Sequence, residues 1–151
     1  NESGENFTLA CQDGTIRVFE SSFFNEVLTI DAHKDGATSL LYHPTNSDQL
    51  ISGGKDAMLR LWDLNSSECL LEIPAHNFAI YSIQAIDNGK TLVTASRDKT
   101  VKVWSESLEF QERLDIKVGG HKHSVNKVRP LDSNSFVSVS DDKKIIIWEE
   151  V

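Results

Sequence analysis

Residues 91–104, TLVTASRDKTVKVW, constrain this chain more than any other stretch. Two runs with period-2 alternation flank the polar turn Ser96-Arg97-Asp98-Lys99, which is the pattern of a β-hairpin. The chain repeats it. Residues 49–62 (QLISGGKDAMLRLW) and 135–148 (SFVSVSDDKKIIIW) share the layout, and residues 8–19 (TLACQDGTIRVF) are a weaker copy. The turn aspartates Asp13, Asp56, Asp98 and Asp142 fall 43, 42 and 44 residues apart. Each is followed six residues later by an aromatic: Phe19, Trp62, Trp104 and Trp148.

Self-similarity at about 40–45 residues, with four short strands per unit, marks propeller blades. Strand-like runs fall at 7–11, 15–19, 26–30, 39–43, 50–52, 59–62 and 69–73. They continue at 80–86, 91–96, 101–104, 110–116, 125–128, 136–139 and 145–148. Residues 1–6 read as a polar loop. No long segment keeps a 3.6-residue apolar period, so helices should be nearly absent.

With the strands of a blade lettered a to d from the inside out, the chain reads bcd, abcd, abcd, abc. Blades are expected at about residues 6–32 (incomplete), 33–75, 76–120 and 121–151 (incomplete). Ile145, Ile146 and Ile147 would then form an unpaired apolar edge, which folded proteins avoid. A closed ring removes such edges. The expectation is an all-β fold of about 3.5 four-stranded antiparallel blades, the C-terminal half of a seven-bladed ring of roughly 300 residues. A missing N-terminal half would supply the absent strands and three blades. Pairing two copies of this chain is disfavoured, because abc followed by bcd leaves two central strands without their natural neighbours.

At 151 residues the chain can bury a sizeable core. Its net charge of −8 argues against a nucleic-acid partner, since phosphate backbones select basic surfaces. No apolar run reaches the length of a membrane span, and residues 1–7 (NESGENF) lack a basic-then-apolar leader. These features predict an intracellular, cytoplasmic protein, with the nucleus as one alternative and a secreted form whose leader has been removed as another. Cys11 and Cys69 lie in strand-like segments of different repeats and are expected to be buried free thiols.

Three repeats share more than a hairpin. A histidine precedes strand a (His33, His76, His121), and a hydroxyl lies four residues before the turn aspartate (Ser52, Thr94, Ser138). Asp56, Asp98 and Asp142 with Trp62, Trp104 and Trp148 complete each set, and histidine and tryptophan are 29, 28 and 27 residues apart. This pattern, over almost the whole chain, resembles the WD40 repeat family. The resemblance implies a Trp–Ser/Thr–His–Asp hydrogen-bond chain in each blade. Indole N–H and hydroxyl can be buried only with partners, and imidazole can link them to the carboxylate. The first blade departs from the family, with Leu9 at the hydroxyl position and Phe19 at the tryptophan.

His, Ser and Asp together also suggest a hydrolase triad, but a threefold recurrence suits a structural staple, and no Gly-x-Ser-x-Gly elbow is present. His43 and His123 lack further ligands at metal-binding spacing, so no metal site is expected, nor a cofactor. Gly53-Gly54-Lys55 lacks the spacing of a phosphate loop and serves a tight strand or turn.

The resemblance implies a non-catalytic scaffold that binds proteins or peptides on the narrow face of the ring. The alternative is an enzyme or small-ligand propeller using the central channel. The family's face positions fall on Gln12, Lys55, Arg97 and Asp141 before the turn aspartates. After the histidines they fall on Gly36 and Thr38, Ala79 and Tyr81, and Ser124 and Asn126. Tyr81 near Arg97 and Lys55 is the expected centre of a partner-binding set of Lys55, Tyr81, Arg97, Thr38, Asn126, Asp141, Gln12 and Phe78. Interface anchors favour Tyr and Arg, and cations beside an aromatic suit an acidic or phosphorylated segment.

Overall fold

The structure, a computed structural model, describes residues 4–149. Its strands are β1 (Asn6–Ala10), β2 (Thr15–Glu20), β3 (Glu26–Asp31), β4 (Ala37–His43), β5 (Asn46–Gly54), β6 (Met58–Asp63) and β7 (Cys69–Pro74). They continue with β8 (Ile80–Ile86), β9 (Thr91–Ser96), β10 (Val101–Ser105), β11 (Phe110–Leu114), β12 (Val125–Pro130), β13 (Ser135–Ser140) and β14 (Ile145–Glu149). Four antiparallel meanders result: β1-β2-β3, β4-β5-β6-β7, β8-β9-β10-β11 and β12-β13-β14. This is the bcd, abcd, abcd, abc sequence of strands, and we refer to the sheets as blades 1 to 4. Helical structure among the described residues is confined to single 3-10 turns at Asp87–Gly89 and Ile116–Val118.

Alternation on the strands divides each blade into two faces, and every seam joins unlike faces. Val93, Ala95, Val101 and Val103 of blade 3 pack on Val125, Val128, Phe136 and Trp148 of blade 4. Ile51 and Leu59 of blade 2 pack on Ile80, Ile83, Leu92 and Trp104 of blade 3. Ile16 and Ile30 of blade 1 meet Leu50 and Trp62 of blade 2. Each tryptophan therefore looks back at the preceding blade, where large buried aromatic area dominates packing. In blade 1 the corresponding face carries Phe19, stacked on Phe7 at 5.4 Å, with Phe24 edge-on to Phe7 at 6.0 Å.

Several local expectations are corrected. Residues 1–3 of the expected polar loop lie outside the described residues, and Asn6 already belongs to β1, paired with Glu20. The strand expected at 110–116 ends at Leu114, because Asp115 caps the next turn by accepting from the Lys117 amide at 2.8 Å. Cys69 is not buried: it opens β7, an outermost strand with solvent on one side. Cys11 follows β1 at the turn and is half-buried. His43 ends β4 and donates from Nε2 to the Glu106 carbonyl at 3.2 Å, bridging blades 2 and 3 at the opposite rim from the turn aspartates. His123 is exposed, and its carbonyl accepts from Ser140 Oγ at 3.2 Å.

Gly53 and Gly54 are explained by close approach. A Cβ on Gly53 would lie 2.7 Å from Ile80 Cγ2 of the next blade. One on Gly54 would lie 2.2 Å from His33 Nδ1 and 2.7 Å from Asp56 Oδ1.

Candidate functional site

In blades 2, 3 and 4 the histidine, hydroxyl, aspartate and tryptophan meet as one hydrogen-bond chain. Trp62 Nε1 donates to Ser52 Oγ at 2.8 Å, Ser52 lies 2.7 Å from His33 Nε2, and His33 Nδ1 lies 2.9 Å from Asp56 Oδ1. Blade 3 repeats this through Trp104, Thr94, His76 and Asp98 at 2.9, 2.8 and 2.9 Å. In blade 4, Trp148 and His121 each lie 2.8 Å from Ser138 Oγ, and His121 Nδ1 lies 3.1 Å from both Asp142 oxygens.

The chemistry fixes the direction of the chain. Indole can only donate and an ionised carboxylate can only accept. In blades 2 and 3 the imidazole, held neutral by burial, carries its proton on Nδ1 toward the carboxylate, and Nε2 accepts from the hydroxyl. Burial pushes His33 and His76 below their ordinary value near 6.5, outweighing the raising pull of Asp56 and Asp98. Burial alone would raise the aspartates, yet the hydrogen bonds they accept hold Asp56, Asp98 and Asp142 below the usual carboxylate range. Those bonds include turn amides: Lys34 and Met58 on Asp56, Asn77 and Thr100 on Asp98, Lys122 and Lys144 on Asp142.

Blade 2 adds a cation. Arg60 donates to Asp56 Oδ2 at 2.8 Å and to Glu72 Oε2 at 2.6 Å. Its Nη1 also crowds His33 Nδ1 at 2.6 Å; both atoms carry protons, so this contact is not a hydrogen bond. Blade 1 has no such chain: Asp13 is held instead by Thr15 and by Arg17 at 2.8 Å.

The chains pin the d–a loops to the b–c turns, and one backbone bond recurs beside them. Lys55 N–H donates to Gly36 O, Arg97 N–H to Ala79 O, and Asp141 N–H to Ser124 O, at 2.9, 2.9 and 3.1 Å. The side chains of Lys55, Arg97 and Asp141 are thereby left exposed along one rim, as is that of Gln12. Strand a contributes through a device the sequence reading missed. Its pairing slips between Ala37 and Ser39, between Ile80 and Ser82, and between Val125 and Lys127. The extra residue of each bulge is Thr38, Tyr81 or Asn126, and a bulge re-aims its side chain. The visible trace in sequence is a break in alternation at Ser82 and Ile83, both fully buried.

The structure does not gather all the expected partner residues into one open set. The Thr38 hydroxyl donates to Gly53 O at 2.9 Å and also contacts Ile80 O, so it ties blade 2 to blade 3. Asn126 Nδ2 donates to Asp141 Oδ1 at 2.6 Å, so these two hold each other. Arg97 lies over Phe78, 5.9 Å from the ring centroid. The contact joins two members of the expected partner-binding set, Arg97 and Phe78. Phe78 is 57% exposed, and its carbonyl accepts from Ser96 Oγ at 3.0 Å, which fixes its loop.

Comparison with known proteins agrees with this architecture. The repeat model "WD domain, G-beta repeat" matches residues 24–63, 67–105 and 113–149. The chain is 27% identical over 124 residues to nuclear distribution protein nudF 1 of Talaromyces marneffei, covering 80% of this chain and 26% of that protein. It is 32% identical over 100 residues to DDB1- and CUL4-associated factor 13 of Xenopus tropicalis, covering 66% of this chain and 22% of that protein. The crystal structure of the WD40 β-propeller domain of Doa1 superposes with a TM-score of 0.86 at 22% identity, covering all of this chain and 49% of that one. The chain thus spans about a quarter of the curated relatives it matches. It belongs to the WD40 repeat family.

Proposed function

We propose that this chain is part of a non-catalytic interaction scaffold, a ring whose narrow face binds other proteins or peptides. The observation that carries the reading is the division of labour at each blade top. The His, Ser/Thr, Asp and Trp side chains are bonded to one another, whereas Lys55, Arg97 and Phe78 are exposed and the bulged Tyr81 is half-buried. Ser52, Thr94 and Ser138 are fully buried, so no substrate can reach the hydroxyl of any chain, which favours a scaffold over an enzyme.

The preferred partner is an acidic or phosphorylated segment, intracellular like the protein itself, in the cytoplasm or nucleus. The ring is completed by an N-terminal half of the same protein. Support comes from the end faces, where blade 4 leaves Ile145 and Ile147 exposed and blade 1 leaves Leu9 and Phe24 exposed. Affinity capture with Tyr81→Ala and Arg97→Glu variants tests the face. Loss of bound proteins by either variant, with unchanged thermal stability, is expected; retention of every partner by both would overturn it.

A further inference from the structure

Arg97 differs from three of the other four arginines. Arg17, Arg60 and Arg113 each hold a carboxylate, as expected in a chain with 23 acidic and 15 basic residues. Among the described residues Arg97 holds none, and it rests instead on the Phe78 ring. The guanidinium carbon lies 5.9 Å from the ring centroid, and with no carboxylate bound among the described residues its forked N–H donors can meet two oxygens of a ligand. The support beneath is rigid: Arg97 N–H is bonded to Ala79 O, and Ser96 Oγ to Phe78 O.

On the turns of blades 2 and 3 the exposed charges are cations, whereas the blade 4 turn carries Asp141, held by Asn126. Asp98, between Arg97 and Lys99, turns its carboxylate inward to His76 and Thr100, so the turn shows two cations to solvent. Lys99 is exposed at a left-handed position (φ 75°). On the neighbouring blade Lys55 runs along Gly36, where a Cβ would meet its Cδ and Cε at 3.3 Å. A carboxylate can satisfy one fork. Separate cations on adjacent turns match a dianion with three acceptor oxygens.

We propose that the Arg97–Phe78 pair is the phosphate-recognition point of this face, and that its ligand is a phosphorylated peptide segment. The guanidinium edge takes the phosphate, Lys99 and Lys55 supply further charge, and Tyr81 offers apolar area to flanking residues. This rests on the scaffold reading and narrows its partner class.

The test is capture of a degenerate phosphoserine/phosphothreonine peptide library by the whole protein, beside the same library treated with phosphatase. Expected is retention of phosphorylated peptides only, falling roughly tenfold or more in both Arg97→Ala and Arg97→Lys, since lysine keeps the charge but loses the fork. Phe78→Ala should weaken capture to a smaller extent, with thermal unfolding unchanged because both side chains are exposed. Arg97-dependent capture that survives phosphatase would overturn this inference while leaving the scaffold reading intact. Phosphopeptide capture indifferent to Arg97, or no selective capture, would also overturn it.

Discussion

Val101 and Ile145 hold the same place on strand c of successive blades, three residues after the turn aspartate, yet Val101 is 1% exposed and Ile145 is 72% exposed. Val103 and Ile147 repeat the contrast at 1% and 59%. The strand position is the same at both sites, but β10 is flanked by β11 and covered by blade 4, whereas β14 has neither an outer strand nor a covering blade among the described residues. Blade 4 covers Val101 and Val103, and the closed ring proposed above puts an equivalent sheet over Ile145 and Ile147.

In the whole protein, Ile145→Ser and Ile147→Ser should therefore behave as core substitutions. Burying an aliphatic side chain of this size contributes about 1.5–3 kcal/mol. Each should lower the denaturant midpoint by an amount comparable to Val101→Ser. If both were silent while Val101→Ser was severe, the end face would be free surface.

Trp104→Phe tests the hydrogen-bond chain without changing the fold, since Phe19 already fills this position in blade 1. The substitution removes the donor that Thr94 Oγ1 accepts at 2.9 Å. A loss of about 1–3 kcal/mol is expected for the buried group left short of a partner. Combined with Thr94→Val it should cost less than the two single changes together, because they act on one interaction. Chemical denaturation of the four proteins checks this, and simple additivity would contradict it.

Gly54→Ala should be strongly destabilising, although Ser96 and Ser140 occupy the same place in blades 3 and 4. The new Cβ would fall on His33 Nδ1 and Asp56 Oδ1, which cannot withdraw without breaking the chain. Overpacking of this kind costs about 1–3 kcal/mol. A melting temperature equal to wild type would show that the blade 2 loop can shift.

How far the sequence carried follows from the kind of interaction involved. Strand order, blade number and the three hydrogen-bond chains were legible, because each repeats at a fixed spacing and depends on residue type. The exposure of Cys69 was not legible, since strand d alternates like any other and only its place on the circumference exposes it. Nor was the Arg97–Phe78 contact, which joins two loops whose approach depends on backbone bonds. The bulges at Thr38, Tyr81 and Asn126 were missed because one extra residue changes register without changing composition. Their only sign was the broken alternation after Tyr81.

Acid should weaken the fold in two stages of the same sign. His33 and His76 bind protons less readily folded than unfolded, so stability falls as pH drops below about 6.5, where the unfolded chain protonates first. Asp56, Asp98 and Asp142 are also depressed, and the stability they contribute is lost as pH falls below about 3.8. Denaturant midpoints measured from pH 7.5 to 5 should decline. His76→Gln should flatten the profile while lowering its plateau, and a profile that rises toward pH 5 would contradict neutral histidines.

The most direct test is hydrogen exchange of β14 in the whole protein. If further polypeptide completes blade 4, the amides of Ile145–Glu149 should exchange as slowly as those of Val101–Ser105 in β10, which is paired on both sides. Exchange in β14 at the rate of a free edge strand, while β10 stays protected, would contradict a closed ring.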